Sequence, residues 1–331
     1  MTNIYERERQ VAIAAVTAAA QLCEKVRAHR SPAAIQKQDS SPVTIADFGA
    51  QAIICQALHA QFPQDSIVAE EDAALLQQPD MTAQLDQVAH QVQAILPYAT
   101  AESVTTWINY GNGKLADRYW TLDPIDGTKG FLRGDQYAIA LALVEQGEVK
   151  VGVMGCPAFP LSFEQPQGEQ GVLFVAVRGQ GATLIHLQSG QSMPVQVQNE
   201  PTSATYRLAE SMEAAHGNRE LQRGIAEALG LSMPPLQIDS QAKYGAVASG
   251  AATLYLRLPW TRVPEYKENI WDHAAGAIVI EEAGGRVTDV TGKPLDFKTG
   301  TKMVGNRGIV ASNGLLHDRV LALLQERMPA P

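Results

Sequence analysis

The stretch Tyr119-Trp120-Thr121-Leu122-Asp123-Pro124-Ile125-Asp126-Gly127-Thr128 places two carboxylates three positions apart, in a turn shaped by proline and glycine, directly after an apolar run. Tyr119 to Leu122 reads as a buried strand, so Asp123 is expected where the strand ends and a loop begins. Pro124 fixes its own φ, and Gly127 reaches conformations closed to other residues. A helical turn beginning at Thr128 would leave backbone N–H groups free for an anion. Hard oxygen ligands suited to Mg²⁺ and amides suited to phosphate thus fall within a few residues of each other.

Upstream, Val11 to Val26 carries apolar residues at helical spacing and predicts an amphipathic helix ending before Ser31-Pro32. A polar loop from Gln36 to Ser41 follows. Pro42-Val43-Thr44-Ile45-Ala46-Asp47 then opens a second helix to about Ala60, with Thr44 as N-cap and Asp47 in the first turn, where the helix dipole favours a carboxylate. Ser66 to Ala69 is a short strand running into Glu70-Glu71-Asp72, and a helix is expected from about Met81 to Leu96.

Downstream, Tyr137–Val144 and Val149–Gly155 read as a hairpin across Gln146-Gly147, and Val172–Val177 and Ala182–Leu187 as a second. Helices are expected at Asn218–Leu229, Trp271–Ala283 and Gly314–Arg327, and strands at Thr253–Leu258 and Val287–Val290. Hairpins mixed with helices, without strict βαβ alternation, favour an α+β protein with sheets sandwiched between helix layers. The turn-rich region from Gly155 to Gly171 is the expected internal boundary, dividing the chain into halves 1–155 and 156–331.

The net charge of −9 excludes non-specific attraction to nucleic acid or to an anionic membrane. Three cysteines without CxxC spacing argue against a disulfide framework and read as reduced, buried side chains. With no apolar signal core and no segment long enough to span a bilayer, the expectation is a soluble, cytoplasmic protein with no obligate protein partner.

Acids stand at the termini of four segments: Asp47, Glu70, the pair Asp123/Asp126, and Asp272. Read singly, Asp47 and Asp272 are helix caps or first-turn acids, and Glu70 and Glu71 are solvated loop charges. An EF-hand is rejected because the twelfth residue of a loop starting at Asp123 is Gly134, where a bidentate Glu is needed. Gly111-Asn112-Gly113-Lys114-Leu115-Ala116 fits a GxGxxA dinucleotide pattern but lacks the preceding long strand and following helix, and reads as a loop.

Taken together, Pro42–Asp47, Glu70-Glu71, Asp123–Thr128 and Trp271-Asp272-His273-Ala274-Ala275-Gly276, with Glu282-Ala283-Gly284-Gly285 behind, resemble the lithium-sensitive, Mg²⁺-dependent phosphomonoesterases that include the inositol monophosphatases. The resemblance implies a layered αβαβα sandwich with the site between two halves, and inhibition by Li⁺. It implies Glu70, Asp123, the Ile125 carbonyl, Asp126 and Asp272 as ligands of Mg²⁺, about two or three ions per site with Mn²⁺ able to substitute. An all-oxygen set without a Cys/His cluster agrees with that metal. Electrostatics agrees too, since two like charges about 4 Å apart cost about 4 kcal/mol at an effective dielectric near 20.

Asp126 to Gly134, Ser240-Gln241-Ala242-Lys243-Tyr244 and Tyr255-Leu256-Arg257-Leu258-Pro259 resemble the 3'(2'),5'-bisphosphate nucleotidase branch, whose typical substrate is 3'-phosphoadenosine 5'-phosphate. That branch often has serine where Ala242 stands. The resemblance implies that Asp47 and Thr128 activate the attacking water and that Gly127, Thr128, His216, Ser240, Lys243, Arg257 and Asp272 contact the small-molecule nucleotide. Without it, Lys243 and Arg257 read as exposed charges. Activity on the corresponding 5'-phosphosulfate stays open, as do an inositol phosphate or fructose 1,6-bisphosphate phosphatase with the same metal centre and a non-catalytic nucleotide or metal sensor.

Overall fold

In a computed structural model, residues 4–28, 35–36, 42–200, 205–212, 218–259 and 266–328 are described. Helix α1 (Glu6–Ala28) turns Ala12, Ala15, Val16, Ala19, Leu22, Cys23 and Val26 inward at helical spacing. Strands β1 (Ile35–Gln36) and β2 (Pro42–Val43) pair as an antiparallel ribbon before helix α2 (Ile45–Gln61). Thr44 caps α2 as expected: its hydroxyl accepts from the Ala46 N–H at 3.1 Å, and Asp47 Oδ2 accepts from the Thr44 N–H at 2.7 Å.

Strand β3 (Ser66–Ala69) is followed by helices α3 (Thr82–Gln93) and α4 (Ala101–Asn109). The expected helix to Leu96 stops earlier, and α4 was not foreseen. It is a nine-residue helix held at its start by a Thr100/Ser103 capping box. Strand β4 (Arg118–Asp126), helix α5 (Thr128–Arg133) and strands β5 (Ala138–Glu145), β6 (Glu148–Pro160), β7 (Gln170–Val177), β8 (Ala182–His186) and β9 (Ser192–Val195) complete a seven-stranded sheet in the order β3 to β9. Only β3 and β4 run parallel. The β5–β6 turn has Gln146 and Gly147 both at positive φ, 55° and 82°, matching the right-handed twist of the hairpin.

The remaining chain builds β10 (Leu208–Glu210), α6 (Arg219–Ala228), β11 (Leu236–Gln237), α7 (Ala242–Ala248), β12 (Leu254–Arg257), α8 (Ala274–Glu282), β13 (Arg286–Thr288), β14 (Ile309–Ser312) and α9 (His317–Arg327). Its five strands form a second sheet in the order β11-β10-β12-β14-β13.

Alternation along the strands assigns the layers. In β5, Ile139, Leu141 and Leu143 join the core under α1 and α2, whereas Ala138, Ala140 and Ala142 join the core that holds Tyr244, Ala275 and Ile278 of α7 and α8. The small side chains let α8 approach closely: a Cβ on Gly152 would lie 2.4 Å from Ile278 Cγ2. Ala209, Tyr255 and Ala311 cover the other side of α7 and α8, and Leu208, Leu254, Leu256 and Val310 pack against Ile225, Leu229, Val320 and Leu324 of α6 and α9. The result is the αβαβα sandwich that the resemblance implied.

The expected division after Gly155 falls inside β6, and the seven-stranded sheet continues to Val195; the second sheet starts at Leu208. Asp123 does not end its strand, since β4 continues through Asp126 with a break in register. Asp272 does not open a helix but closes a 3₁₀ turn, Ile270–Asp272, ahead of α8. Residues 37–41 of the expected polar loop lie outside the described residues, as does His216.

Candidate active site

The irregularity in β4 decides the site. Positions three apart on a regular strand point to opposite faces. Here Asp123 pairs with Ala140 and Asp126 with Ala138, so β4 spends three residues where β5 spends two. This one-residue bulge turns both acids to the face that carries Ala138 and Ala140, toward α7 and α8. Asp123 Oδ1 accepts from the Ile125 N–H at 3.1 Å and steadies the bulge.

A cavity of about 300 Å³ opens above the bulge. Its wall includes Glu70, Asp123, Ile125, Asp126, Gly127, Thr128 and Asp272, together with Ser240, Lys243 and Arg257. Glu70 follows the end of β3, where its N–H bonds the Leu122 carbonyl at 3.1 Å. Its neighbour Glu71 is buried rather than solvated, with its N–H on Gln51 Oε1. Asp47, also buried, reaches the site through Thr128, whose hydroxyl lies 3.4 Å from Asp47 Oδ1 and 3.2 Å from the Ile125 carbonyl.

Gly127 stands at φ 87° between β4 and α5, and a Cβ there would lie 3.0 Å from Ser240 Cβ. Ser240 itself adopts φ 63°, a strained conformation for a side-chain-bearing residue. That turn aims the Gln241 N–H at Asp126 Oδ2, 2.6 Å away, and starts the buried helix α7, which carries Lys243. Every predicted site residue among the described residues is thus brought to one cavity or, for Asp47, to a hydrogen bond with its wall.

The two walls differ electrostatically. Burial raises the Asp123 carboxyl well above its usual range, and Glu70, Asp126 and Asp272 push it further. Asp272 is likewise raised, first by burial, against the pull of Arg257. Burial also raises Asp126, although Lys243, Arg257 and the Gln241 N–H oppose the shift. Lys243 is pushed down to about 8 by burial, with Asp126 and Asp239 resisting. A crowded set of carboxylates, with Asp123 buried, Asp126 and Asp272 half-buried and Glu70 exposed, is the donor set a hard divalent cation neutralises.

The family model for the inositol monophosphatase family matches residues 6–328. The chain belongs to the inositol monophosphatase family. Relatives named 3'(2'),5'-bisphosphate nucleotidase include that of Schizosaccharomyces pombe, 42% identical over 337 residues and covering 96% of this chain and 94% of its own. That of Emericella nidulans is 40% identical over 350 residues, covering 97% and 98%. Among solved structures, the extragenic suppressor protein suhB from Bartonella henselae superposes with a TM-score of 0.65 at 20% identity, covering 96% of this chain and 98% of that one. The Thermotoga maritima IMPase gives 0.63 at 23%, covering 95% of each. At such identities the two structures speak for the fold alone. The family is metal-dependent.

Distance alone picks out another trio, Glu268, Asp272 and His273, with ligand atoms within 4.8 Å of one another. Glu268 already carries an ion pair to Arg257 at 2.7 Å, and His273 Nδ1 is 2.7 Å from the Tyr244 hydroxyl. Within the trio only Asp272 lines the cavity. The trio is therefore an internal ion-pair network, and the oxygen set around Asp123 fits a cation better.

Two residues central to this geometry had no role in the sequence reading. Gln241 ties three segments, donating from its N–H to Asp126 and from Nε2 to the Trp271 carbonyl, and accepting at Oε1 from the Gly276 N–H. Asp239 accepts from Arg133 Nη2 at 2.5 Å, from Ser211 Oγ at 2.7 Å and from the Met212 N–H at 3.0 Å, joining α5 to the segment after β10. Neither residue type nor spacing announces such a hub.

Proposed function

We propose that this enzyme hydrolyses the 3'-phosphate of 3'-phosphoadenosine 5'-phosphate, giving AMP and phosphate. The observation that carries the reading is the lining of one cavity by both crowded carboxylates and a separate set of phosphate-binding groups, Ser240, Lys243 and Arg257. Carboxylates with cations serve one phosphate, whereas an unreacted second phosphate needs bases of its own. The names of the S. pombe and E. nidulans relatives support the same substrate.

Glu70, Asp123, the Ile125 carbonyl, Asp126 and Asp272 would hold about two or three Mg²⁺. When bound, these ions neutralise the phosphate and acidify water. The chain's own residues orient and deprotonate. Asp47 Oδ2 is engaged by the Thr44 N–H and hydroxyl at 2.7 and 2.6 Å, which leaves Oδ1 directed at Thr128. Thr128 Oγ takes a proton from the attacking water while passing its own to Asp47 Oδ1; the water oxygen joins phosphorus, and the bond to the ribose 3'-oxygen breaks as that oxygen is protonated by solvent. The Gly127 and Thr128 N–H groups hold a phosphate oxygen, and Ser240, Lys243 and Arg257 hold the 5'-phosphate and ribose, with His216 as a further nucleotide contact.

The three buried cysteines suit a reducing compartment, the cytoplasm. Steady-state rates with Mg²⁺ on 3'-phosphoadenosine 5'-phosphate, inositol 1-phosphate and fructose 1,6-bisphosphate test the substrate. The nucleotide is expected to give the highest kcat/KM; a higher value on either sugar phosphate sinks the reading, and no phosphate release from any of them removes the enzyme.

A further inference from the structure

Arg257 enters the cavity from the end of β12, and its rear edge is already engaged. Its Nε lies 2.7 Å from Glu268 Oε2, and its Nη2 donates to the Tyr266 hydroxyl at 3.3 Å. Arg257 and Tyr266 line the cavity, whereas Glu268 does not. The same Glu268 oxygen lies 3.2 Å from His273 Nε2, and His273 Nδ1 lies 2.7 Å from the Tyr244 hydroxyl. An ionised carboxylate only accepts, so Nε2 carries the imidazole proton and the tyrosine donates to Nδ1. Tyr244 and His273 are both buried, and the Tyr244 ring is pressed against α8, where a Cβ on Gly276 would come within 2.4 Å of its Cγ. A fixed chain therefore runs Tyr244, His273, Glu268, Arg257, and ends at the cavity.

A guanidinium carries five N–H donors in a rigid fork. With Nε committed to a carboxylate behind the wall, the remaining donors of the terminal nitrogens are presented to the cavity in one orientation. We propose that Glu268 is a positioning residue for recognition of the substrate's unreacted phosphate: it holds Arg257 ready, and His273 and Tyr244 hold Glu268. This rests on the bisphosphate nucleotide reading. Glu268 never touches the substrate, so its removal should weaken binding of esters that carry the second phosphate and leave the chemical step alone.

The test is steady-state kinetics of full-length Glu268→Gln with Mg²⁺ on 3'-phosphoadenosine 5'-phosphate and on 3'-AMP, which keeps the scissile phosphate and lacks the 5'-phosphate. The expected result is a rise of about tenfold in KM for the first substrate, kcat within about twofold, and no change for 3'-AMP or in the Mg²⁺ concentration for half-activation. Arg257→Ala should raise KM for the bisphosphate further than Glu268→Gln does, and for 3'-AMP by much less, and Arg257→Ala/Glu268→Gln should be no worse than Arg257→Ala. Tyr244→Phe, which keeps the ring, should shift KM in the same direction by less. Losses that add in the double variant, equal losses on both substrates, or a raised Mg²⁺ requirement overturn the proposal. An Arg257→Ala effect confined to the bisphosphate with no Glu268→Gln effect sinks this inference alone; an Arg257→Ala variant without any preference effect sinks the substrate reading beneath it.

Discussion

The two walls of the cavity are built on opposite principles. The wall on the seven-stranded sheet gathers Glu70, Asp123 and Asp126, with Asp272 from the 3₁₀ turn, close enough that Glu70, Asp126 and Asp272 all raise Asp123. The wall on α7 and β12 presents cations that already have partners, Arg257 with Glu268 and Lys243 between Asp126 and Asp239. On the proposed reading the first is completed by cations, whereas Arg257 in the second is already held by Glu268. A phosphatase with one reactive and one silent phosphate to hold has use for both: chemistry from the wall that needs metal, selection from the wall that does not.

The difference can be broken most forcefully at the bulge. Asp126→Asn should lower kcat by about 10⁴-fold in Mg²⁺, since metal-borne stabilisation of transition-state charge is worth several kcal/mol. In metal-free buffer Asp123→Asn should have the opposite sign and raise the melting temperature, because it removes a repelled, buried charge. An Asp126→Asn enzyme with near wild-type turnover, or an Asp123→Asn chain that melts lower without metal, would contradict the repulsive character of this wall.

Opposite pH slopes sharpen the contrast. His317, buried in the second sheet layer between Ser312 Oγ and Thr288 Oγ1 at 2.9 Å each, has its pKa lowered to about 4, first by burial and then by Arg286. A lowered histidine contributes stability that is present above its unfolded value near 6.5 and is lost as pH falls toward 4, in all about 3 kcal/mol. Asp123, Asp126 and Asp272 have raised folded values, so in metal-free buffer their contribution is present below about 4 and lost as pH rises through the folded values. Urea titrations across pH 4 to 8 should show His317→Gln flattening the acid limb and Asp123→Asn flattening the other; the reverse assignment would undo the comparison.

Lys243→Ala should raise KM for the bisphosphate by about tenfold or more while sparing 3'-AMP, the size of one charged hydrogen bond. Smallest is Gly127→Ala: a positive φ and a 3.0 Å approach to Ser240 predict a loss of about 1–2 kcal/mol in unfolding free energy. Wild-type stability in that variant would mean that the walls are less tightly joined at Gly127 than the geometry indicates.

Much of this was legible in the sequence because it is local. Period-two and helical spacing gave the layers, Thr44 with Asp47 gave the start of α2, and Gln146-Gly147 gave the hairpin. The bulge was not legible: Asp123-Pro124-Ile125-Asp126 has the composition of a turn, and only pairing with Ala138 and Ala140 makes it strand. Helix α7 was missed because seven buried residues rich in alanine and glycine carry no polar face to give a period. Glu268 lies 11 positions from Arg257, a separation that matches no helical or strand period, and the two meet as an ion pair at 2.7 Å. Cross-chain distance of that kind is a product of packing, and no spacing rule contains it.

The bulge in β4 also governs which insertions and deletions this chain can survive. Loops elsewhere can lengthen or shorten at modest entropic cost. Between Asp123 and Asp126 a single deletion would restore regular pairing with β5 and keep both acids on the cavity face, but it would remove the bulge in which the Ile125 N–H donates to Asp123 and the Ile125 carbonyl accepts from Thr128. The interval between the two acids is therefore fixed by the backbone it presents, not only by the face they share.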